Sequence, residues 1–111
     1  MVEGHKIVKS IPLEYYLNLI ADYSNDEIII SDHTMFRIRE KDRKIFKDNI
    51  LKYFIEKIAP TFVGLQKNGC YAVFYDYEKN NILKIIIDIR SASITIVTFY
   101  IIAKSSVPII K

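Results

Sequence analysis

Asn68-Gly69-Cys70-Tyr71-Ala72-Val73-Phe74-Tyr75-Asp76-Tyr77 opens the part of the chain whose reading decides the fold, and two more apolar runs follow it, Ile82–Ile89 and Ile94–Ala103. All three are rich in Ile, Val, Tyr and Phe, side chains that suit a pleated, packed surface. Tyr71, Val73, Tyr75 and Tyr77 fall on one face of the first run, with Cys70, Ala72 and Phe74 on the other. In the second, Leu83, Ile85, Ile87 and Ile89 oppose Lys84, Ile86, Asp88 and Arg90. The third, from Ile94 to Tyr100, is apolar on both faces, as a central strand covered on at least one side should be. The breaks Glu78-Lys79-Asn80-Asn81 and Arg90-Ser91-Ala92-Ser93 leave room only for hairpins, so neighbouring strands must run antiparallel. Asn68-Gly69 also joins this block to Thr61–Lys67, and Asn-Gly between two β-rich runs is the strongest local hairpin signal. A four-stranded antiparallel meander is expected.

The residues ahead of it are helical in pattern. Lys6–Lys9 is either an edge strand or a frayed lead-in. After Ser10, Pro12 suits a first helical turn, and Leu13, Tyr16, Leu17, Ile20 and Ala21 make an amphipathic stripe. Ile28-Ile29-Ile30 is too short to classify: one small strand, or a buried approach to the next helix. Ser31-Asp32 is a helix-start signal, with Ile30 and Met35 in the positions of a hydrophobic staple. A further helix carries Phe46, Ile50, Leu51, Phe54, Ile55 and Ile58 and stops at Pro60. The expected class is therefore α+β, two or three N-terminal helices packed on a four-stranded antiparallel sheet.

The 111 residues suffice for one domain with its own core. With half the residues hydrophobic and only three Gly and three Pro, disorder is not expected. A formal charge of +3 permits an acidic partner without demanding one. Cys70 is the only cysteine, which excludes an intrachain disulfide and a Cys-based zinc site. The opening residues lack a signal-peptide core, and Asp88 and Arg90 interrupt the longest apolar run, so a soluble, cytoplasmic protein with no membrane partner is expected. Ile86 among polar neighbours and the tail Val107–Lys111 leave apolar surface that a homodimer or bound partner should cover.

Phosphate-loop, nucleophile-elbow and His-Glu-x-x-His motifs are absent. His5 and His33 are the only imidazoles, and neither has a carboxylate four residues away in matching helical register, so neither a metal nor another cofactor is expected. Cys70 reads as a small core hydrophobe, and the Tyr71/Tyr75/Tyr77 stripe as packing rather than a base-stacking platform. His33, Arg37 and Lys41 share one helix face. That face is either solvated, with Glu40 and Asp42 in support, or a cationic surface holding a phosphodiester with His33 as proton carrier.

Ser31-Asp32-His33-Thr34-Met35-Phe36-Arg37, the helix ending Ile58-Ala59-Pro60, the meander and the closing Ile96-Val97-Thr98-Phe99-Tyr100 resemble a group of small domains related to the RelE/ParE/BrnT toxins. The resemblance covers about Ile30–Ala103. It divides the single domain 1–111 into an N-terminal helical addition, 1–30, and a RelE-like core, 31–103. His33 and Arg37 match the family's opening, and Lys41 stands where a second Arg is usual. The resemblance implies a toxin-type, metal-independent ribonuclease in which a 2′-hydroxyl attacks the RNA phosphodiester. His33, Arg37 and Tyr100 would be catalytic, and Arg37, Lys41, Lys84 and Arg90 would bind RNA. Of these, Lys84, Arg90 and Tyr100 are chosen by strand position and fixed by no family motif. An antitoxin-like protein would be a further partner. The alternative is a non-catalytic module that binds nucleic acid or a protein through the same fold.

Overall fold

A computed structural model of the chain describes residues 6–31, 48–77 and 80–103. In chain order these form β1 (Ile7–Ser10), α1 (Leu13–Ile20), a 3₁₀ turn (Asn25–Glu27), β2 (Ile28–Ile30), α2 (Asp48–Lys57), β3 (Phe62–Gln66), β4 (Tyr71–Tyr77), β5 (Asn81–Ile89) and β6 (Ile94–Ala103). The six strands build one sheet in the order β1-β3-β4-β5-β6-β2.

The expectation of two or three helices on a four-stranded antiparallel, RelE-like sheet is corrected here. The sheet has six strands and is mixed, and the described residues are mostly strand with two short α-helices. The meander β3 to β6 is its antiparallel centre. The N-terminal segment supplies more than a helix: β1 pairs antiparallel with β3, and β2 pairs parallel with β6. The apolar triplet Ile28-Ile29-Ile30 finds its ladder beside Ile94-Thr95-Ile96. β1 is held close to β3 because Gly64 has no side chain; a Cβ there would lie 2.7 Å from the Ile7 Cγ2.

Gly69 adopts φ 92°, which a residue without Cβ tolerates, and the Asn68 side chain accepts a bond from the Cys70 N–H at 3.0 Å. The Asn-Gly turn thus reverses the chain between β3 and β4. α1 begins one residue later than a first-turn proline implies: Pro12 is its N-cap, and its carbonyl receives the Tyr16 N–H at 3.1 Å.

Both helices lie on one sheet face. Tyr16 and Ile20 of α1 and Leu51 and Ile55 of α2 are buried against Val73, Tyr75, Leu83, Ile85, Ile87 and Phe99. Each fully buried aliphatic side chain contributes about 1.5–3 kcal/mol. The α1 stripe is only partly used, since Leu13 and Leu17 remain 42 % and 38 % exposed. The Tyr16 and Tyr75 phenols are both in this core, close enough to perturb one another, yet neither hydroxyl reaches a partner with hydrogen-bond geometry among the described residues. On the opposite face Ala72, Phe74, Ile82 and Ile86 form a second, smaller cluster with Phe62, Val97 and Ile102 against it.

Candidate functional site

Three of the residues proposed from the sequence, Lys84, Arg90 and Tyr100, are described; His33, Arg37 and Lys41 lie outside the described residues, as do His5 and the tail Val107–Lys111. Lys84 and Tyr100 are brought together by an irregularity in β6. Ile86 pairs with Thr98 but Ile87 pairs with Ile96, leaving Val97 as the extra residue of a bulge. The bulge changes which residues of β6 face the helices. Before it, Ile94 and Ile96 enter the core; after it, Phe99 does, and Tyr100 lies across from Lys84 on the opposite face. Ser31 pins the irregular stretch: its N–H donates to the Ile96 carbonyl at 3.0 Å and its hydroxyl to the Val97 carbonyl at 3.1 Å.

The Lys84 Nζ lies 5.6 Å from the Phe74 ring centroid and 6.0 Å from that of Tyr100. Ring faces attract a cation at this range. Half-burial has the opposite effect on its charge, and desolvation lowers the ammonium pKa from its ordinary 10.5. Arg90 is elsewhere. It follows the far end of β5, six residues and on the order of 20 Å along the strand from Lys84. Its guanidinium is tied to the Asp88 carboxylate by Nε at 2.8 Å and Nη2 at 2.7 Å, and the bond to Asp88 raises its pKa. Its backbone carbonyl accepts the Tyr23 hydroxyl. Lys84 and Tyr100 make one locus and Arg90 another.

Cys70 does not qualify as a nucleophile, because burial first and Asp88 second push its thiol pKa up and away from the reactive thiolate. Among the described residues no group of three His, Cys, Asp or Glu side chains is placed to hold a metal ion.

The sequence reading missed a second surface, at the β1 edge. Lys9, Ile11, Pro12, Tyr15, Leu65 and Tyr71 line a groove of about 310 Å³ on the helix side of the sheet. The Tyr71 phenol is raised by burial and then by its neighbour Tyr15. Of the exposed apolar side chains in this segment, Tyr15 lines the groove, while Val8 and Leu13 are its neighbours in sequence. The signal was Tyr15, an aromatic lying off the α1 stripe; its meaning depended on β1 and Tyr71 arriving beside it.

No family model matches the chain, and no curated protein or solved structure matches it either. The likeness to the RelE/ParE/BrnT group therefore rests on the quoted motif residues.

Proposed function

We propose that the chain is a non-catalytic interaction module that engages its partner along the β1–α1 edge. One observation carries this reading. The described cationic candidates are separated, Lys84 near the middle of β5 and Arg90 just past its end and occupied by Asp88, while the exposed Tyr15 lines the β1 groove with Ile11, Leu65 and Tyr71. A phosphodiester-cleaving site needs its cations and proton carriers within a few ångströms of one phosphate. A binding module needs only a complementary surface. The test maps where a partner protects backbone amides from hydrogen exchange: protection of residues 7–15 supports the module, and protection confined to β5 and β6 removes it.

The second reading is the metal-independent ribonuclease, and the Lys84–Tyr100 pair favours it, since a half-buried ammonium beside a phenol suits phosphate contact and proton exchange. His33, Arg37 and Lys41 would complete that site. It predicts cleavage of a mixed RNA in the presence of EDTA, reduced about 10²–10⁴-fold in His33→Ala, the range for one general acid or base. Wild type that leaves the RNA intact eliminates it.

A further inference from the structure

We propose that the β1 edge receives an extended acidic peptide, which adds to the sheet as one more strand and inserts an apolar side chain into the Tyr15–Tyr71 groove. The inference rests on the interaction-module reading and names its partner class.

Three features converge on this occupant. The first is the backbone. β1 is the terminal strand of the sheet among the described residues, and the Ile11 N–H donates to the Val63 carbonyl at 2.8 Å. Successive residues of an antiparallel strand direct their backbone groups to opposite sides, so the N–H and C=O of Ser10 point away from β3. A donor and an acceptor side by side are matched by another extended polypeptide. A nucleic-acid backbone offers phosphate acceptors and leaves the carbonyl unanswered.

The second feature is the groove itself. Its volume is at the lower end of the roughly 300–1,000 Å³ range of ligand sites, room for one or two side chains. Two phenol rings form its walls, with Leu65 and Pro12 as apolar lining, and rings of this kind supply rigid contact area at low entropy cost.

The third is charge. Lys6 and Lys9 are exposed on or next to β1, and the chain carries net positive charge. Acidic side chains on the incoming strand would oppose them. The same lysines disfavour a second copy of this chain at this edge, because β1 against β1 brings like charges together.

The test begins with selection of a random displayed-peptide library against the intact chain, followed by titration of an enriched, fluorescently labelled peptide. Enriched sequences should be acidic with at least one aromatic or large aliphatic residue. Ser10→Pro removes the outward N–H while leaving the β1–β3 ladder its bonds, and proline is tolerated at such an edge position. It and Tyr15→Ala should each weaken binding about tenfold or more, the loss expected of a central contact. Lys9→Glu should shift the selection away from acidic peptides. Unchanged circular dichroism and amide protection in β3 to β6 establish that each variant is folded.

Enrichment of basic peptides, or binding indifferent to Ser10→Pro and Tyr15→Ala, overturns the inference while leaving an interaction module that works through another surface. Failure to enrich any peptide overturns it, as does self-association that Ser10→Pro abolishes. Salt-sensitive RNA binding lost in Lys9→Glu overturns both this inference and its peptide chemistry.

Discussion

Tyr16 and Tyr75 are the residues whose chemistry departs furthest from that of a free side chain. Burial, above all, pushes the Tyr16 phenol from 10.0 up to about 12, and Tyr75 is also raised by burial and by Tyr16 beside it. The folded chain therefore holds two protons that the unfolded chain releases. The resulting stability is fully present below pH 10 and falls as pH rises towards 12, by up to about 1.4 kcal/mol per pH unit for each proton. Urea titrations across that interval should show the fall in wild type and a shallower one in Tyr75→Phe. At neutral pH Tyr75→Phe should be neutral or stabilising by up to about 1 kcal/mol, since it deletes a buried hydroxyl that has no hydrogen-bond partner among the described residues. Lys84 acts in the opposite sense. Its lowered pKa means the folded chain gives up that proton before the unfolded chain does, so Lys84→Met should steepen the alkaline loss. A steeper fall in Tyr75→Phe than in wild type would contradict this account.

Among the elements, the bulge in β6 does most to decide which surface the molecule presents. Deleting Val97 would join Ile96 directly to Thr98 and restore regular alternation with Phe99 still in the core and Tyr100 still across from Lys84, so the fold should tolerate it. Phe99→Ala, by contrast, should cost about 3–5 kcal/mol, the range that follows loss of a buried aromatic, read as a fall in urea midpoint. Gly69→Ala should cost about 1 kcal/mol, because only the positive φ resists it and no atom lies within 4 Å of the added methyl. These two sites mark what the sequence could and could not disclose. Asn68-Gly69, the alternation in β4 and β5 and the Leu51/Ile55 stripe of α2 declare themselves locally, because period and turn chemistry are properties of neighbours in sequence. The bulge does not: Thr98 and Phe99 read equally well on either face until Ile86 and Ile87 set the pairing. β1 and β2 are four and three residues long, too short for any period, and only their partners make them strands. The groove was hidden for the same reason, as Tyr15 and Tyr71 meet only once the sheet exists. His33, Arg37 and Lys41 lie outside the described residues, so the legibility of that part of the candidate site is settled by the RNA assay.

For the molecule as a whole, the sheet edges govern assembly. The β1 edge is basic and opposes its own copy. Ile86, on which the expectation of a homodimer partly rested, is buried, with 4 % exposed, and the tail lies outside the described residues. We propose instead that the short β2 edge, which exposes Ile29 to 48 %, offers a homodimer its apolar contact. Sedimentation should then show a concentration-dependent dimer that Ile29→Lys dissociates; a monomer at all concentrations in wild type would remove the homodimer. No helix among the described residues is long and apolar enough to cross a membrane.

The parallel pairing of β2 with β6 has a consequence in time. Ile28–Ile30 belongs beside Ile94–Ile96, and the rest of the meander lies between them in sequence, so their pairing closes the longest loop of the sheet's strand pairs. The hairpins β3–β4, β4–β5 and β5–β6 close over short loops and can nucleate early, whereas contacts between distant stretches carry a larger loop-closure entropy and form slowly. While the chain is being synthesised, β2 must wait for the last strand, and Ile28, a core residue in the finished molecule, stays wet until then. Refolding should accordingly pass through a state in which the meander is protected from hydrogen exchange and the Ile28–Ile30 amides are not.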